Sequence, residues 1–364
     1  MSWPMVAIKS VAKVTTGKTP SKKVESYFGG DIPFITPAEL GENQFVKTAN
    51  QTLTEEGATK TKLVPENSVL VCCIGSLGKL AIATQELATN QQINSVSFDS
   101  SKVHFKYGYY ALQRLKPILE SMAPATTVAI VNKSNFEALE IPLPPLDEQK
   151  RIAAILDKAD TIRQKRKQAI ELADEFLRSV FLDMFGDPTH WNVETDTRGW
   201  QRKQIKMVSP LKRGYDLPTN SRNSGNIPIY AANGVNGFHN VSKVKGPGVI
   251  TGRSGTIGKV VYTEDDFWPL NTALYVTDFF DNSPKYIEWF LRFFRLDRYS
   301  QGAGVPTLNR NLFLEEFTLV PPIELQNKFV NICNFLSTTQ ATMSNEYFYD
   351  QFMSLSQKAF SGQL

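Results

Sequence analysis

The most regular hydrophobic pattern in the chain follows the prolines of residues 142–145 and continues to Gly186. Its apolar or small residues are spaced alternately three and four positions apart, with Arg166 filling the one missing place, which is the heptad pattern of a coiled-coil seam. Asp147 and Glu148 suit the first turn of a helix, and Gly186 suits its end. These signals predict a helix over residues 147–185, about 55–60 Å long. The predicted seam residues are Ile152, Ile155, Ala159, Ile162, Ala169, Ala173, Phe176 and Val180.

A second segment near the end of the chain begins in the same way. Residues 320–326 (VPPIELQ) repeat residues 143–149 (LPPLDEQ). A helix of this length needs a partner to bury its apolar stripe, so the two segments are predicted to pair as an intramolecular coiled coil. The apolar positions of the second stripe are Phe329, Ile332, Leu336 and Met343, with Thr339 in the same series.

The segments that precede the two helices also repeat each other. The loop GSLGK at residues 75–79 matches GTIGK at residues 255–259, and Asn90 matches Asn271. Short β-branched runs predict strands at residues 68–74, 79–83 and 93–98, and an amphipathic pattern predicts a helix near residues 107–120.

The predicted fold class is therefore α+β. Two similar mixed α/β domains, related as a pseudo-two-fold tandem repeat, are joined by two long antiparallel helices. The predicted parts are a first domain (1–145), a first long helix (146–186), a connector (187–199), a second domain (200–322) and a second long helix (323–364).

Composition narrows the class of protein without deciding its function. The chain has 364 residues, is 41% hydrophobic and carries a formal net charge of +4, which permits an anionic partner without demanding one. Its cysteines, Cys72, Cys73 and Cys333, form neither a disulfide framework nor a zinc-ligand spacing, and the first two are expected to be buried in a strand. Because no leader segment or run of about 20 apolar residues is present, we expect a cytoplasmic protein without a membrane partner.

The Gly-Lys pairs of the two repeated loops suggest a nucleotide-binding P-loop, but the pattern fails. Cys73 and Arg253 stand where its first glycine belongs, and Leu80 and Val260 replace the Ser or Thr that would bind magnesium. The three histidines are isolated in the sequence. We therefore predict a non-catalytic protein with no catalytic residue, no metal site and no cofactor of its own.

Polar, basic and aromatic side chains on predicted turns are the remaining candidates for function. Asn and Gln can bond adenine, Arg can bond guanine, and Lys, Ser and Thr can hold phosphate, so these side chains are candidate DNA contacts. The alternative is that they only form turns. The first domain contributes Lys18, Thr19, Ser21, Lys22, Lys23, Thr36, Ser76, Lys79, Asn90, Gln91 and Gln92. The second contributes Lys212, Arg213, Tyr215, Tyr230, Asn233, Asn236, Arg253, Ser254, Thr256, Lys259 and Asn271.

A further basic pattern lies in a helix predicted over residues 284–299. Arg292, Arg295 and Arg298 are three positions apart and would share one face. That face could follow a phosphate backbone or could simply be solvated, and the sequence does not decide between these alternatives.

The segment IPLPPLDEQKRI at residues 141–152, the terminal FSGQL, the repeated GTIGK loop and the duplication together resemble the specificity subunit of a type I restriction–modification system. The resemblance implies two target recognition domains, each reading half of a bipartite sequence in double-stranded DNA, with the helices fixing the gap. It also implies docking of two modification subunits, which bind S-adenosylmethionine and methylate adenine, and of restriction subunits, which use ATP and magnesium. The coiled-coil and partner residues would include Ile152, Ile155, Ile162, Phe176, Val180, Phe329, Ile332, Leu336 and Met343.

Three other functions stay open at this point. The chain could be a multidomain enzyme with an unrecognised site, which methyl transfer or nucleotide hydrolysis by the purified chain alone would support. The chain could be the recognition subunit of a related methyltransferase–nuclease outside type I, such as a type IIB system. It could also be an interaction scaffold unrelated to DNA, which would bind without sequence preference.

Overall fold

The computed structural model describes residues 3–46, 48–122, 128–196, 198–302, 306–341 and 345–363, with side chains omitted for 338–341 and 345–350. It divides into two compact units. Unit 1 comprises Met1–Arg166 and Asn345–Leu364, and unit 2 comprises Lys167–Ser344. The unit boundaries thus fall inside the segments predicted as long helices. Among the described residues, no helix is both long and apolar enough to cross a membrane.

Unit 1 is built on two four-stranded sheets. Their strand orders are β2-β9-β6-β7 and β4-β3-β8-β5, while β1 pairs with β10. The strands are β1 Met5–Ala7, β2 Ala12–Thr16, β3 Phe28–Ile35, β4 Gln51–Leu53, β5 Leu63–Val64, β6 Val69–Cys72, β7 Leu80–Ile82, β8 Leu87–Thr89, β9 Ile93–Phe98 and β10 Glu140–Pro142.

Most helices of unit 1 pack on the first of these sheets, whereas the short helix Glu55–Ala58 contacts β3 and β4 of the second sheet. A hydrophobic core joins sheet residues such as Val69 and Val96 to Tyr107 and Leu112. The helices are α1 Ile8–Val11, α2 Glu55–Ala58, α3 Phe105–Gln113, α4 Lys116–Met122, α5 Lys133–Glu137, the first part of α6 Leu146–Phe185, and α10 Asn345–Phe360. The single helix predicted near residues 107–120 is therefore two helices.

Unit 2 repeats this plan with a four-stranded sheet β12-β18-β15-β16 and a three-stranded sheet β14-β13-β17. The strands are β11 Gln201–Gln204, β12 Leu211–Arg213, β13 Ile227–Ala231, β14 Gly234–His239, β15 Gly248–Gly252, β16 Val260–Thr263, β17 Trp268–Pro269, β18 Ala273–Val276, β19 Ser300–Gln301, β20 Thr307–Leu308 and β21 Phe317–Val320. Its helices are α7 Pro284–Phe293, α8 Arg310–Glu315, α9 Ile323–Ala341 and the second part of α6.

The predicted first long helix is confirmed as α6, which spans Leu146–Phe185. It ends where Gly186 adopts φ +75°, a left-handed conformation that glycine accepts without a steric cost. The prediction that Cys72 and Cys73 are buried thiols is also confirmed, and burial raises the pKa of Cys73 to about 12.

The buried side of α6 differs from the predicted heptad seam. Ile152 is fully buried in unit 1, but Ile162 and Phe176 are 44% and 52% exposed, whereas Leu177 and Phe181 are buried. At about 100° per residue, Leu177 and Phe181 lie within about 20° of Ile152 around an ideal helix, and Phe176 lies about 120° away. Ile162 and Phe176 are therefore wrong as buried seam positions within this chain.

A helix from the last part of the chain packs on α6 in each unit: α10 in unit 1 and α9 in unit 2. In unit 1, Ile152 and Leu156 of α6 share a core with Phe352 and Phe360 of α10. In unit 2, Phe181 lies 5.4 Å from Phe329 of α9, measured between ring centroids. The other predicted partner positions of α9, Ile332 and Leu336, pack partly buried against the same core as Val180, whereas Met343 lies outside the described residues.

Candidate nucleic-acid interface

Strand register brings the candidate loops of unit 1 to one end of its first sheet. Thr16 at the end of β2 pairs with Asn94 near the start of β9, and Cys72 at the end of β6 pairs with Ile93. Since β7 begins opposite Val71, the loops after β2, between β6 and β7, and before β9 all leave the sheet at this end. Almost all predicted DNA-contacting residues of unit 1 lie on these loops.

The predicted side chains of unit 1 differ in exposure. Thr19, Thr36 and Gln92 are half-buried, and Asn90 is buried. Thr36 caps a short 3-10 helix with Glu39, and Asn90 accepts the backbone N–H of Gln92, so both side chains support local structure. The exposed members are Lys18, Ser21, Lys22, Lys23, Ser76, Lys79 and Gln91.

Three amide side chains before β9 are held in place by hydrogen bonds. The hydroxyl of Thr19 donates to Oε1 of Gln91 at 2.7 Å, which joins the loop after β2 to the loop before β9. Asn90 donates to Oε1 of Gln92 at 2.9 Å, and Gln92 donates to the carbonyl of Ile74 at 3.3 Å. The three loops are thus connected by side-chain contacts.

The repeated glycine loops adopt matching conformations. Gly75 and Gly78 have φ of +80° and +74°, and Gly255 and Gly258 have +78° and +85°. Only glycine adopts this left-handed region readily, which explains why these positions recur in both halves. Each loop joins two antiparallel strands rather than a strand and a helix, which agrees with rejection of the P-loop.

A cleft of about 300 Å³ adjoins the loop between β6 and β7. Lys79 and Lys116 both line it, and Lys116 also lies 3.9 Å from Glu120. Lys116 was not among the predicted contacts because it belongs to α4, whose sequence carries no loop signal. Glu120 also lines the cleft, so its carboxylate offsets one of the two ammonium groups there.

The loops of unit 2 converge at the corresponding end of its four-stranded sheet. Arg213 at the end of β12 pairs with Leu274, and Gly252 at the end of β15 pairs with Ala273 at the start of β18. The backbone N–H of Arg253 donates to the carbonyl of Thr272 at 2.9 Å, which ties the loop after β15 to the loop before β18.

The predicted side chains of unit 2 also divide by exposure. Tyr215, Arg253, Ser254 and Asn271 are half-buried, and Tyr230 is a core residue whose ring packs edge-on against Phe267. The exposed members are Lys212, Arg213, Asn233, Asn236, Thr256 and Lys259.

Several of these exposed groups are held by neighbours in the fold. Lys259 donates to the carbonyl of Asn233 at 2.5 Å, and Arg222 donates to Oδ1 of Asn236 at 3.1 Å. Lys259 and Arg222 thus stabilise the hairpin around β14, and these hydrogen bonds use part of their donor capacity.

Two residues that sequence reasoning missed complete the loop cluster of unit 2. Asp216 accepts a hydrogen bond from Nδ2 of Asn271. Lys243 lies over the rings of Trp268 and Tyr215, at 5.1 Å and 5.9 Å from their centroids. The signal for Asp216 was its place two residues after Gly214, which corresponds to Thr19 after Gly17.

Tyr215 is anchored at the base of this cluster. Its hydroxyl lies 3.1 Å from that of Tyr275. Burial, together with this hydrogen bond, raises the pKa of Tyr275 above its ordinary value.

The arginines predicted on one helix face have structural partners. The helix α7 ends at Phe293, because Arg295 adopts a left-handed conformation with φ +56°, so the predicted extension to residue 299 is wrong. Arg292 bonds Glu288 and Asp174 at 2.6 and 3.2 Å, and Arg295 bonds Asp297 at 3.1 Å. Arg298 lies 3.7 Å from a carboxylate oxygen of Glu316. These ion pairs favour the solvated-face alternative over a phosphate-tracking face.

Comparison with known proteins identifies a family and several relatives that resemble this chain. The family described as the type I restriction modification DNA specificity domain matches the chain over residues 2–172 and again over residues 197–351. The MjaIX type I specificity subunit of Methanocaldococcus jannaschii is 26% identical over 231 residues, which cover 59% of this chain and 54% of that protein. The EcoprrI specificity subunit of Escherichia coli is 22% identical over 363 residues, covering 93% of this chain and 90% of that protein. The chain spans about half the length of the MjaIX, HindI and MjaVIII specificity subunits, at 54%, 40% and 50%.

Solved structures share the fold. The S subunit of a type I restriction–modification system from M. genitalium matches with a TM-score of 0.61 and 19% identity, covering 100% of this chain and 96% of that one. A chain from a study of complex assembly in the type I restriction–modification system matches with a TM-score of 0.54 and 12% identity, covering 100% and 98%.

The fold is a duplicated α+β architecture, and each unit carries an equivalent loop cluster. The family match extends through most of both units. The chain belongs to the type I restriction–modification DNA specificity family.

Proposed function

We propose that this chain is a DNA-recognition subunit that reads a bipartite target, with one half-site read by each unit. The observation that carries the proposal is the repeated loop cluster. Both units present loops at the same end of an equivalent sheet, with the same glycine conformations but different exposed side chains. A shared frame with different surface groups suits two readers of different base sequences.

The long helices would fix the gap between the half-sites. A rigid helix makes the separation of two reading units a structural quantity, as half-site spacing is in dimeric DNA-binding proteins. The continuous helix α6 and its buried contacts with α10 in unit 1 and with α9 in unit 2 support this role.

The exposed apolar side chains of α6 would dock two modification subunits. Ile162, Leu172 and Phe176 are 44%, 63% and 52% exposed on this helix. Large apolar groups left on a helix surface are typical of a protein–protein interface. Restriction subunits would then join, and S-adenosylmethionine, ATP and magnesium would be bound by those partners, so the chain itself would act without catalysis.

Mapping of methylated adenines in cells with and without the gene tests this function. We expect a split motif, made of two short defined sequences around a fixed gap, that disappears on deletion of the gene. Methylation that is identical in both strains, in cells that express the modification subunit, would contradict the proposal. A continuous motif without a gap would contradict its bipartite part.

A further inference from the structure

The two loop clusters contain side-chain pairs at corresponding positions. Because the carbonyls of Ile93 and Ala273 accept equivalent hydrogen bonds, Gln91 aligns with Asn271, and the sequence match of Asn90 with Asn271 is wrong by one position. In unit 1, Thr19 donates its hydroxyl hydrogen to Oε1 of Gln91 at 2.7 Å. In unit 2, Nδ2 of Asn271 donates to Oδ1 of Asp216. Each pair joins the loop after the first strand of its sheet to the loop before the neighbouring strand, β9 or β18.

The backbone around the pairs explains this correspondence. Gly17 donates to the carbonyl of Ile93 at 3.1 Å, and Gly214 donates to the carbonyl of Ala273 at 3.1 Å. A Cβ at Gly17 would lie 2.3 Å from the carbonyl oxygen of Asn90, and one at Gly214 would lie 2.3 Å from the carbonyl oxygen of Leu270. The glycine lets the two loops approach closely, and the side chain two residues later then meets the opposite loop.

The pair in unit 2 presents hydrogen-bond acceptors. Asp216 is exposed, and Asn271 occupies only one of its carboxylate oxygens. The second carboxylate oxygen and the amide oxygen of Asn271 are acceptors, while the second N–H of Asn271 is a donor. A carboxylate is repelled by phosphate, so within a DNA interface it is stable only opposite donors, such as the exocyclic amino group of cytosine or adenine.

The pair in unit 1 presents hydrogen-bond donors instead. Thr19 occupies the amide oxygen of Gln91, and among the described residues none accepts from the two N–H groups of this exposed amide. Those N–H groups match base-edge acceptors, such as O6 and N7 of guanine or O4 of thymine.

We propose that these matched pairs determine base specificity, with Gln91 positioned by Thr19 to read an acceptor-bearing base in one half-site and Asp216 with Asn271 to read an amino-bearing base in the other. This inference rests on the proposed bipartite function and adds which side chains read and what chemistry they read. The opposite hydrogen-bond character of the pairs gives two copies of one frame different targets.

Competitive binding by the complex of this chain with its modification subunits tests the assignment. The wild-type motif is first mapped by methylation, and each base pair of both half-sites is then substituted in short duplexes. We expect Asp216→Asn to reduce discrimination roughly ten- to hundredfold at one position of one half-site, and Gln91→Glu to do so in the other half-site. Thr19→Val should reduce discrimination at the same base position as Gln91→Glu. Thr19→Ser should retain wild-type discrimination because it keeps the hydroxyl.

Matched controls carry the same chemical change at the opposite end of each sheet. Asp265→Asn lies beyond the far end of β16, and Gln85→Glu lies beyond the far end of β7. Both should leave the ratio of affinities at every position unchanged.

The outcomes separate the two levels of the proposal. If the wild-type motif is split but the Asp216 and Gln91 variants discriminate between bases as the wild type does, the specificity assignment alone is overturned. The same holds if both variants change discrimination in the same half-site. The absence of any split motif for the wild-type chain would overturn the bipartite function and this inference with it.

Discussion

Gln149 and Gln326 are both fully buried and make corresponding hydrogen bonds in the two units. Oε1 of Gln149 accepts the backbone N–H of His104 at 2.8 Å, and Oε1 of Gln326 accepts that of Ser283 at 3.0 Å. His104 and Ser283 are the residues that precede α3 and α7. The amide nitrogens donate at 2.9 Å to the carbonyls of prolines 144 and 321, respectively. The repeated glutamine therefore fastens each proline turn to a helix of its own unit.

Replacing Gln149 with leucine should strongly destabilise unit 1. The change leaves the backbone N–H of His104 and the carbonyls of Lys102 and Pro144 without these partners in a buried site. At about 1 kcal/mol or more for each of the three unsatisfied groups, we expect a loss of at least about 3 kcal/mol in the free energy of unfolding. Urea denaturation followed by circular dichroism measures it, with exposed Gln168→Leu as the control. Equal midpoints for the two variants would contradict this role.

Phe181→Ala should destabilise unit 2 far more than Phe176→Ala. The ring of Phe181 is buried and lies 4.9 Å from those of Phe185 and Phe293, whereas Phe176 is 52% exposed. Loss of a buried phenylalanine costs about 3–5 kcal/mol. Urea denaturation followed by tryptophan fluorescence suits this test, since four of the five tryptophans lie in unit 2. A larger effect at Phe176 would restore the heptad seam.

Asp157 should make the stability of unit 1 depend on acid pH. Burial raises the pKa of this carboxyl, but hydrogen bonds from Lys106, Gln44 and Tyr110 outweigh burial and lower it below its ordinary value of 3.8. Because the folded-state pKa is lowered, the carboxylate stabilises the fold above pH 3.8, and this contribution is lost as pH falls through the folded-state pKa.

The measurement is the unfolding free energy of wild type and Asp157→Asn at pH 7 and at steps from pH 5 to pH 2.5. The difference between the two proteins should be largest at pH 7 and should shrink below about pH 4. Asp147→Asn makes the same chemical change on the same helix at a fully exposed side chain and is the matched control. A wild-type to Asp157→Asn difference independent of pH would refute the electrostatic origin.

Lys22→Ala should weaken DNA binding without changing the recognised sequence. Lys22 is exposed on the loop after β2 and is expected to contact phosphate. Loss of one phosphate contact should lower the magnitude of the slope of log K against log salt by about 0.9. The slope is measured with the assembled complex, and Lys102→Ala, beyond the opposite end of β9, should retain the wild-type value. A changed base preference with an unchanged slope would identify Lys22 as a base reader instead.

Local signals in the sequence predicted much of the fold. The strand predicted over residues 93–98 is β9, and α6 differs from its prediction by one residue at its start. Both features depend on side chains close together in the sequence, namely β-branched residues in the strand and the proline and glycine that bound the helix. The duplication was equally readable, because Gly75 and Gly255 require the same backbone conformation.

What the sequence did not predict depends on contacts between distant residues. Gln149 meets His104 across 45 positions, and Asn271 meets Asp216 across 55, so neither partner is visible in a local pattern. The buried face of α6 was misassigned for a different reason. Periods of 3.5 and 3.6 residues are nearly the same over one heptad, and they separate only over the 24 positions between Ile152 and Phe176.

The most direct test of the bipartite function exchanges one recognition unit. Residues 1–141 are replaced by the corresponding segment of another family member that has a different mapped motif, and methylated adenines are mapped in cells with the matching modification subunit. We predict that one half-site changes to that of the donor, while the other half-site and the length of the gap are retained. If both half-sites changed together, or if the motif stayed that of the wild type, the assignment of one half-site to each unit would be contradicted.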